Sequence, residues 1–211
     1  MITGSVMEIQ ILDVIDHTLM GLPSLAILDY QIHFNFIYLL VRDVGLYQIQ
    51  FTATQRLQRT GFFPIKMNVN RFRVEQNGFN DDLHLVISND NTVYQYEWDV
   101  FNTPVLITKY ALMAGSVVEE LLMDENVVIV LAWELFGSEM QRRVWIFSRR
   151  TNSYTNAFGS FKQPSTGPCI ILYRPFERTI HIIYEYRSYN LRINLPYLHV
   201  YPVSSQKAGD T

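Results

Sequence analysis

Cysteine, long apolar runs and glycosylation motifs are scarce or missing in this sequence of 211 residues. Cys169 is the only cysteine, which excludes an intramolecular disulfide and a cysteine-based metal cluster, and we expect it to be a buried structural thiol. No apolar run reaches the about 18 residues of a membrane-spanning helix. The N-terminus lacks the basic and apolar regions of a signal peptide, and no Asn-X-Ser/Thr motif occurs. These absences predict an intracellular, cytoplasmic protein without a membrane span.

Charge and catalytic motifs are sparse as well. The net charge is −3, so the chain has no overall attraction for nucleic acid or for anionic membranes. The sequence contains no G-x-S-x-G motif, no P-loop, no G-x-G-x-x-G motif and no H-E-x-x-H motif. No cofactor is therefore predicted, and the lack of a catalytic signature favours a protein that is not an enzyme.

A strand-hairpin pattern that recurs every 44–52 residues is the strongest feature that is present. The four repeats cover residues 25–51, 69–98, 116–149 and 168–194. Each repeat has a short apolar segment, a strongly apolar strand, a turn and a second strand. Segments at 60–66, 105–111 and 153–161 fit a further, outer strand of each unit. Repeats of this length with several strands each predict an all-β fold, a β-propeller of about four to five four-stranded antiparallel blades, partial or a fragment.

Three segments test the details of this pattern. Residues 111–124 contain helix formers, but their register with the other repeats favours a strand at 117–123. Residues 134–142 are predicted to be a long loop, and residues 187–189 a turn. Gly45 is expected to supply a positive φ angle in the turn after residue 41.

The pattern also predicts the domain organisation. A single propeller-like domain covers residues 1–203, with blades near 25–68, 69–115, 116–167 and 168–203 and a half blade at 1–24. Residues 204–211 are predicted to be a polar tail. Closed propellers usually have more blades, which leaves three arrangements: a piece of a longer propeller, a propeller completed by a partner, or a small or open ring.

The second repeat resembles a blade of the WD-repeat family. Residues 88–100 (SNDNTVYQYEWDV) are similar to that family's strand, polar turn, strand and closing Trp-Asp pair, here Trp98-Asp99. Residues 143–151 carry Trp145 in a similar segment, and Leu12-Asp13 resembles the closing pair. The Gly-His pair of the family is absent, so the repeats are degenerate. The resemblance implies a propeller that serves as a platform for partner proteins.

Two sets of candidate functional residues follow. Aromatic residues on a rigid β surface are good interface anchors, and the candidates are Tyr94, Trp98, Trp145 and Tyr201. Inner positions of blades can converge on a central channel, and the candidates for a ligand or metal site there are His84, His181, Asp82 and Glu177. The alternative explanation for both sets is structural, as core residues and as solvated turn residues. Glu119 and Glu120 should point in opposite directions on a strand and cannot act as a pair.

The function predicted from these features is a protein-interaction scaffold, a subunit or segment of a larger complex whose partners are other protein chains. One alternative is a ligand-binding or catalytic propeller with a central-channel site. Another is a fragment of an extracellular receptor, against which the missing sequons and disulfides argue.

Overall fold

The computed structural model describes residues 27–51, 57–76, 83–89, 91–98, 103–149, 154–158, 169–184, 187–194 and 199–207. These residues form sixteen β-strands and no helix. The strands make four antiparallel sheets of four consecutive strands each, which we call blades 1 to 4. The all-β fold of four-stranded blades confirms the predicted fold class.

The strands of each blade follow one another in chain order. Blade 1 contains β1 (Ile27–His33), β2 (Phe36–Val41), β3 (Gly45–Phe51) and β4 (Leu57–Pro64). Blade 2 contains β5 (Arg71–Gln76), β6 (Leu83–Asn89), β7 (Thr92–Trp98) and β8 (Val105–Ala111). Blade 3 contains β9 (Val117–Met123), β10 (Val127–Phe136), β11 (Glu139–Ser148) and β12 (Tyr154–Phe158). Blade 4 contains β13 (Cys169–Arg174), β14 (Thr179–Tyr184), β15 (Arg187–Asn194) and β16 (His199–Lys207).

The core of the described residues contains an apolar layer between each pair of neighbouring blades and a further buried cluster on the other face of blade 1, around Leu39 and Ile49. Blades 1 and 2 share a layer around Leu40, Phe72 and Leu85. Blades 2 and 3 share a second layer around Val86 and Val130, and blades 3 and 4 share a third. This arrangement explains the near-continuous apolar second strands, because an inner blade buries both faces of its sheet.

Several predicted elements agree with the structure. Strand β9 occupies the segment for which a helix was the alternative, and β8 coincides with the predicted outer strand. Gly45 has a φ angle of +146°. A Cβ atom there would lie 2.1 Å from the carbonyl oxygen of Phe63 on the neighbouring strand β4, so only glycine fits.

The hairpin of blade 3 differs from the prediction, because β10 and β11 extend through the segment predicted to be a loop. The carboxylate of Glu134 is fully buried near the base of this extension. It accepts hydrogen bonds from Trp145 Nε1 at 2.7 Å and Ser116 Oγ at 3.2 Å, and it forms an ion pair with Arg143 at 3.4 Å. These polar partners surround a charge that the sequence pattern places in a loop.

Two boundaries in blade 4 also differ from the prediction. The three residues predicted to be a turn belong to β15, which begins at Arg187. Strand β16 continues to Lys207 and so covers the first four residues of the predicted tail. The predicted half blade at 1–24 lies outside the described residues.

Candidate functional site

The first strands of the blades carry the polar residues that join one blade to the next. Strand β5 lies between β1 and β9. On one side of β5, Phe72 and Val74 enter the core, and on the other side Arg71, Arg73 and Glu75 alternate with them. Each of these three charged side chains contacts another blade.

The Arg73 guanidinium connects three blades. It forms an ion pair with Asp29 of blade 1 at 3.5 Å and another with Glu120 of blade 3. Arg71 donates a hydrogen bond from Nε to the main-chain oxygen of Glu119 at 2.9 Å. The carboxylate of Glu119 instead pairs with Arg142 at 2.8 Å. The two adjacent glutamates therefore have different partners, as expected from their alternation on the strand.

A second polar network links blades 2, 3 and 4. Arg149 pairs with Glu75 at 3.2 Å and donates to the main-chain oxygen of Asp124 at 2.5 Å. The buried carboxylate of Asp124 accepts a hydrogen bond from Tyr173 Oη of blade 4 at 2.7 Å. Burial raises the pKa of Glu75, which the charge of Arg149 opposes. Burial and then the hydrogen bond to Asp124 raise the pKa of Tyr173 well above its usual value.

Asp124 also closes the turn between β9 and β10. Its Oδ1 atom accepts hydrogen bonds from the main-chain N–H groups of Asn126 at 2.7 Å and Val127 at 2.8 Å. The carboxylate therefore has structural partners on both oxygens. Asp82, one of the predicted channel residues, lies outside the described residues.

Two of the four predicted channel residues, Glu177 and His181, contact the same threonine in blade 4. Thr179 Oγ1 lies 3.2 Å from Glu177 Oε2 and 3.4 Å from His181 Nε2, while His181 Nδ1 contacts Asn190 Oδ1. Glu177 is exposed and pairs with Arg174 at 3.3 Å. The group lies on the face of blade 4 that points away from blade 3, because Ile180 and Ile182 occupy the opposite face.

His84, the other predicted channel histidine, has carboxylate neighbours in blade 2. It is half-buried on β6 and lies directly across from Glu75 on β5 and Glu97 on β7. In the described part of the chain, no group of three or more His, Cys, Asp or Glu side chains has the spacing of a metal site.

The four predicted interface anchors have different environments. Trp98 is completely buried in the layer between blades 1 and 2, and Trp145 is buried between blades 2 and 3. Both are core residues here, so neither indole is available to a partner. Tyr94 is half-buried against the first layer, and Tyr201 lies on β16, where the structure describes the strand alone.

Exposed apolar residues lie on the first strands of the two end blades and also on the outer strand β8, where Val105, Leu106 and Ile107 are 60%, 48% and 49% exposed. On β1, Tyr30 and Ile32 are each 64% exposed, and Phe34 in the following turn is 79% exposed. On β13, Ile170 and Leu172 are 51% and 52% exposed. We call these two groups the β1 stripe and the β13 stripe. In the sequence, the alternation of apolar and polar residues in ILDYQIHF indicates a strand with two different faces. Such an alternation predicts that the apolar face is buried, whereas in the structure it is exposed.

The β1 strand is exposed on its apolar side because its polar side packs on blade 2. Gln31 Nε2 donates to the main-chain oxygen of Val74 at 2.7 Å, and Val74 N donates back to Gln31 Oε1 at 2.8 Å. Asp29 pairs with Arg73 beside this contact. The β1 stripe therefore points away from blade 2.

Cys169 lies half-buried beside the apolar layer between blades 3 and 4. Burial raises the pKa of its thiol to about 11. A thiol with so little thiolate at neutral pH is a poor nucleophile, which supports the structural role.

Across the part of the chain that the structure describes, no helix has the length and apolar character needed to cross a membrane.

No protein-family model matches the sequence, and no curated protein is similar enough to count as a relative. Among solved structures, a protein from Lactobacillus plantarum matches with a TM-score of 0.53 and 11% identity over 82% of this chain. The dihydro-heme d1 dehydrogenase NirN matches with a TM-score of 0.50 and 7% identity over 88% of this chain. The match covers 54% of the first protein and 40% of the second, so this chain spans about half or less of their lengths. At these identities the similarity concerns the fold alone, and the neighbours support a fold of the β-propeller type.

Proposed function

We propose that this chain is a protein-interaction scaffold built from degenerate WD-repeat-like blades, and that it works within a larger assembly. The observation that supports the proposal best is the β1 stripe. Tyr30, Ile32 and Phe34 form a row of exposed apolar side chains on a strand whose other side is fixed to blade 2. Contiguous exposed apolar side chains on a rigid surface are typical of interaction sites.

The outward face of blade 4 supports the same proposal. Ile183 lies directly across from Ile170, and both are exposed. In an inner blade, the sheet of the next blade covers such residues. Val86 of blade 2 and Val130 of blade 3, for example, are both buried in the layer between these two blades. We therefore propose that further protein, from a partner chain or from a longer propeller, covers this face.

A matched pair of substitutions tests the proposal. Ile32→Asp places a charge in the β1 stripe, whereas Ile107→Asp places the same charge on the outer strand β8, where Ile107 is 49% exposed. The tagged chain is purified from cells of the organism that encodes it, and light scattering gives the mass of the complex. We expect a mass well above the 24.7 kDa of the chain, and a stoichiometric partner that mass spectrometry identifies.

Ile32→Asp should weaken that complex at least about tenfold, because a buried charge in an interface costs several kcal/mol. Ile107→Asp should leave the complex unchanged. Recovery of the unmodified chain as a monomer, or equal effects of the two substitutions, would contradict the proposal.

A further inference from the structure

We propose, on the basis of the scaffold function proposed above, that the outward face of blade 4 is a basic docking surface for an acidic protein. This face consists of the side chains of β13, β14 and β15 that point away from blade 3. On β14, Ile180 and Ile182 pack towards blade 3, so the residues that alternate with them point outwards. The charges and the apolar groups on this face indicate the chemistry of the partner that covers it.

The apolar part of the outward face lies at the beginning of β13. Ile170 is directly across from Ile183, and both are exposed. Two residues further along β13, Leu172 is also exposed and lies across from His181. An apolar group of this kind needs an apolar counterpart in an interface, and proteins provide one whereas the phosphate backbone of a nucleic acid does not.

The basic part of the same face lies next to the turn between β13 and β14. Arg174 on β13 and Arg192 on β15 are both exposed, and both lie directly across from Thr179. Neighbouring strands are about 4.8 Å apart, so the main chains of the two arginines are about 10 Å apart. Among the described residues of blade 4, the only carboxylate is that of Glu177, which pairs with Arg174. This part of the face is therefore positively charged.

Blade 4 is basic in an otherwise acidic chain. Residues 169–207 contain five basic and two acidic residues, a net charge of +3, whereas the whole chain has a net charge of −3. Opposite charges across an interface accelerate association and select the partner. The complement of the outward face is therefore an acidic surface with an apolar region beside it. Pairing of this face with itself in a second copy would bring arginines together, which argues against a symmetric dimer.

The turn between β13 and β14 adds a rigid aromatic anchor beside the two arginines. Phe176 in this turn is 104% exposed. The turn is held by a hydrogen bond from Arg178 N to the main-chain oxygen of Pro175 at 3.2 Å, and Ile193 N donates to the main-chain oxygen of Arg178 at 2.8 Å. An exposed ring on a fixed main chain loses little conformational entropy on binding. We therefore expect Phe176 to enter an apolar pocket of the partner.

Charge reversal tests the surface in the same complex that Ile32→Asp probes. The partner identified there is produced separately, and isothermal titration with the full chain measures its affinity. The double substitution Arg174→Glu and Arg192→Glu should weaken binding at least about tenfold. Raising NaCl from about 50 to about 500 mM should weaken the wild-type complex more than that of the double variant, because salt screens exposed charges. Arg42→Glu with Arg59→Glu, at exposed positions in blade 1, is the matched control and should leave the affinity unchanged.

A second variant tests the anchor without changing the charge. Phe176→Ser should weaken the same complex at least about fivefold. The substituted side chains are exposed, so the variants should keep the fold, and urea unfolding checks this.

The outcomes separate this proposal from the scaffold function. A complex that Ile32→Asp weakens, but that neither the double charge reversal nor Phe176→Ser affects, would overturn the docking surface and leave the scaffold function intact. Recovery of the chain as a monomer would overturn both. Saturable binding of a single-stranded RNA 20-mer or of phosphatidylserine vesicles, lost in the double variant, would show that the basic face serves another class of ligand and would overturn the acidic protein partner.

Discussion

Blades 3 and 4 have similar apolar second strands but different surroundings. In β10, Ile129 packs towards blade 4 and Val130 packs towards blade 2, and both are fully buried. In β14, Ile182 is fully buried against blade 3, whereas Ile183 is 42% exposed on the other face. An apolar strand therefore indicates that a blade exists, but its neighbours decide how many of its faces belong to the core.

The acidic residues of the two blades differ in the same way. Glu134 in blade 3 is fully buried and has three partners, whereas Glu177 in blade 4 is exposed and pairs with an exposed arginine. The buried carboxylate stabilises the long hairpin of β10 and β11 from inside. The exposed carboxylate is in contact with solvent.

The largest expected difference in stability between the two blades comes from substituting these two glutamates. Glu134→Ala should lower the free energy of unfolding by about 3–5 kcal/mol, because it removes the buried acceptor of the Trp145 N–H group and one ion-pair partner of the largely buried Arg143 side chain. Glu177→Ala should change it by less than about 1 kcal/mol. Urea unfolding followed by tryptophan fluorescence measures both, and equal losses would show that the buried charge is not part of the stability of blade 3.

Alanine substitutions on the second strands should show two-sided burial in blade 3 and one-sided burial in blade 4. We expect Ile129→Ala and Ile182→Ala each to cost about 2–5 kcal/mol, and Val130→Ala a little less, because all three leave cavities. Ile183→Ala should cost about 0.5 kcal/mol, since surface substitutions have small effects. A large loss at Ile183, measured by the same unfolding experiment, would mean that this face is covered in solution.

Tyr173→Phe tests the polar contact between the two blades. Removing the hydroxyl leaves one oxygen of the buried Asp124 carboxylate without this donor, so the free energy of unfolding should fall by about 1–2 kcal/mol. Tyr30→Phe, at an exposed ring, is the control and should have no measurable effect. If the two substitutions give the same result in urea unfolding, the contact between Tyr173 and Asp124 does not hold blade 4 in place.

The last expected difference is in chemical reactivity rather than in stability, and it concerns the thiol of Cys169 beside the layer between blades 3 and 4. With a pKa raised to about 11, Cys169 has roughly a hundredfold less thiolate near pH 8 than an ordinary cysteine. Maleimide should therefore label the folded chain slowly and the urea-unfolded chain fast, with mass spectrometry as the readout. Rapid labelling of the folded chain would indicate that blade 4 separates readily from blade 3.

The repeat pattern predicted most of the strands because strand periodicity is local. The predicted β8 and β9 agree with the structure residue by residue, since alternating side chains and turn residues decide them. The hairpin of blade 3 could not be predicted in this way. Residues 134–142 look like a polar loop, and the partners that bury Glu134, such as Ser116 and Trp145, lie outside that segment.

The candidate surfaces were harder to predict than the strands. The alternation in β1 correctly predicts two different faces, but hydrophobicity assigns the wrong one to the core. Gln31 and Asp29 face blade 2 because main-chain groups and an arginine of that blade satisfy them, which leaves Ile32 exposed. Such partners come from the next repeat, so no rule that considers one strand at a time can find them.

The polar contacts between neighbouring blades have a consequence for how such a chain can evolve. Blade 1 meets blade 2 through an amide and a carboxylate, whereas blade 2 meets blade 3 through two arginines and a glutamate. Blade 3 meets blade 4 through a tyrosine hydroxyl. Exchanging, duplicating or deleting a blade would therefore bring together residues that do not match and bury charges without partners. Although the blades share one strand pattern, each junction has its own polar partners, so we expect a chain with its blades in another order to be less stable than this one.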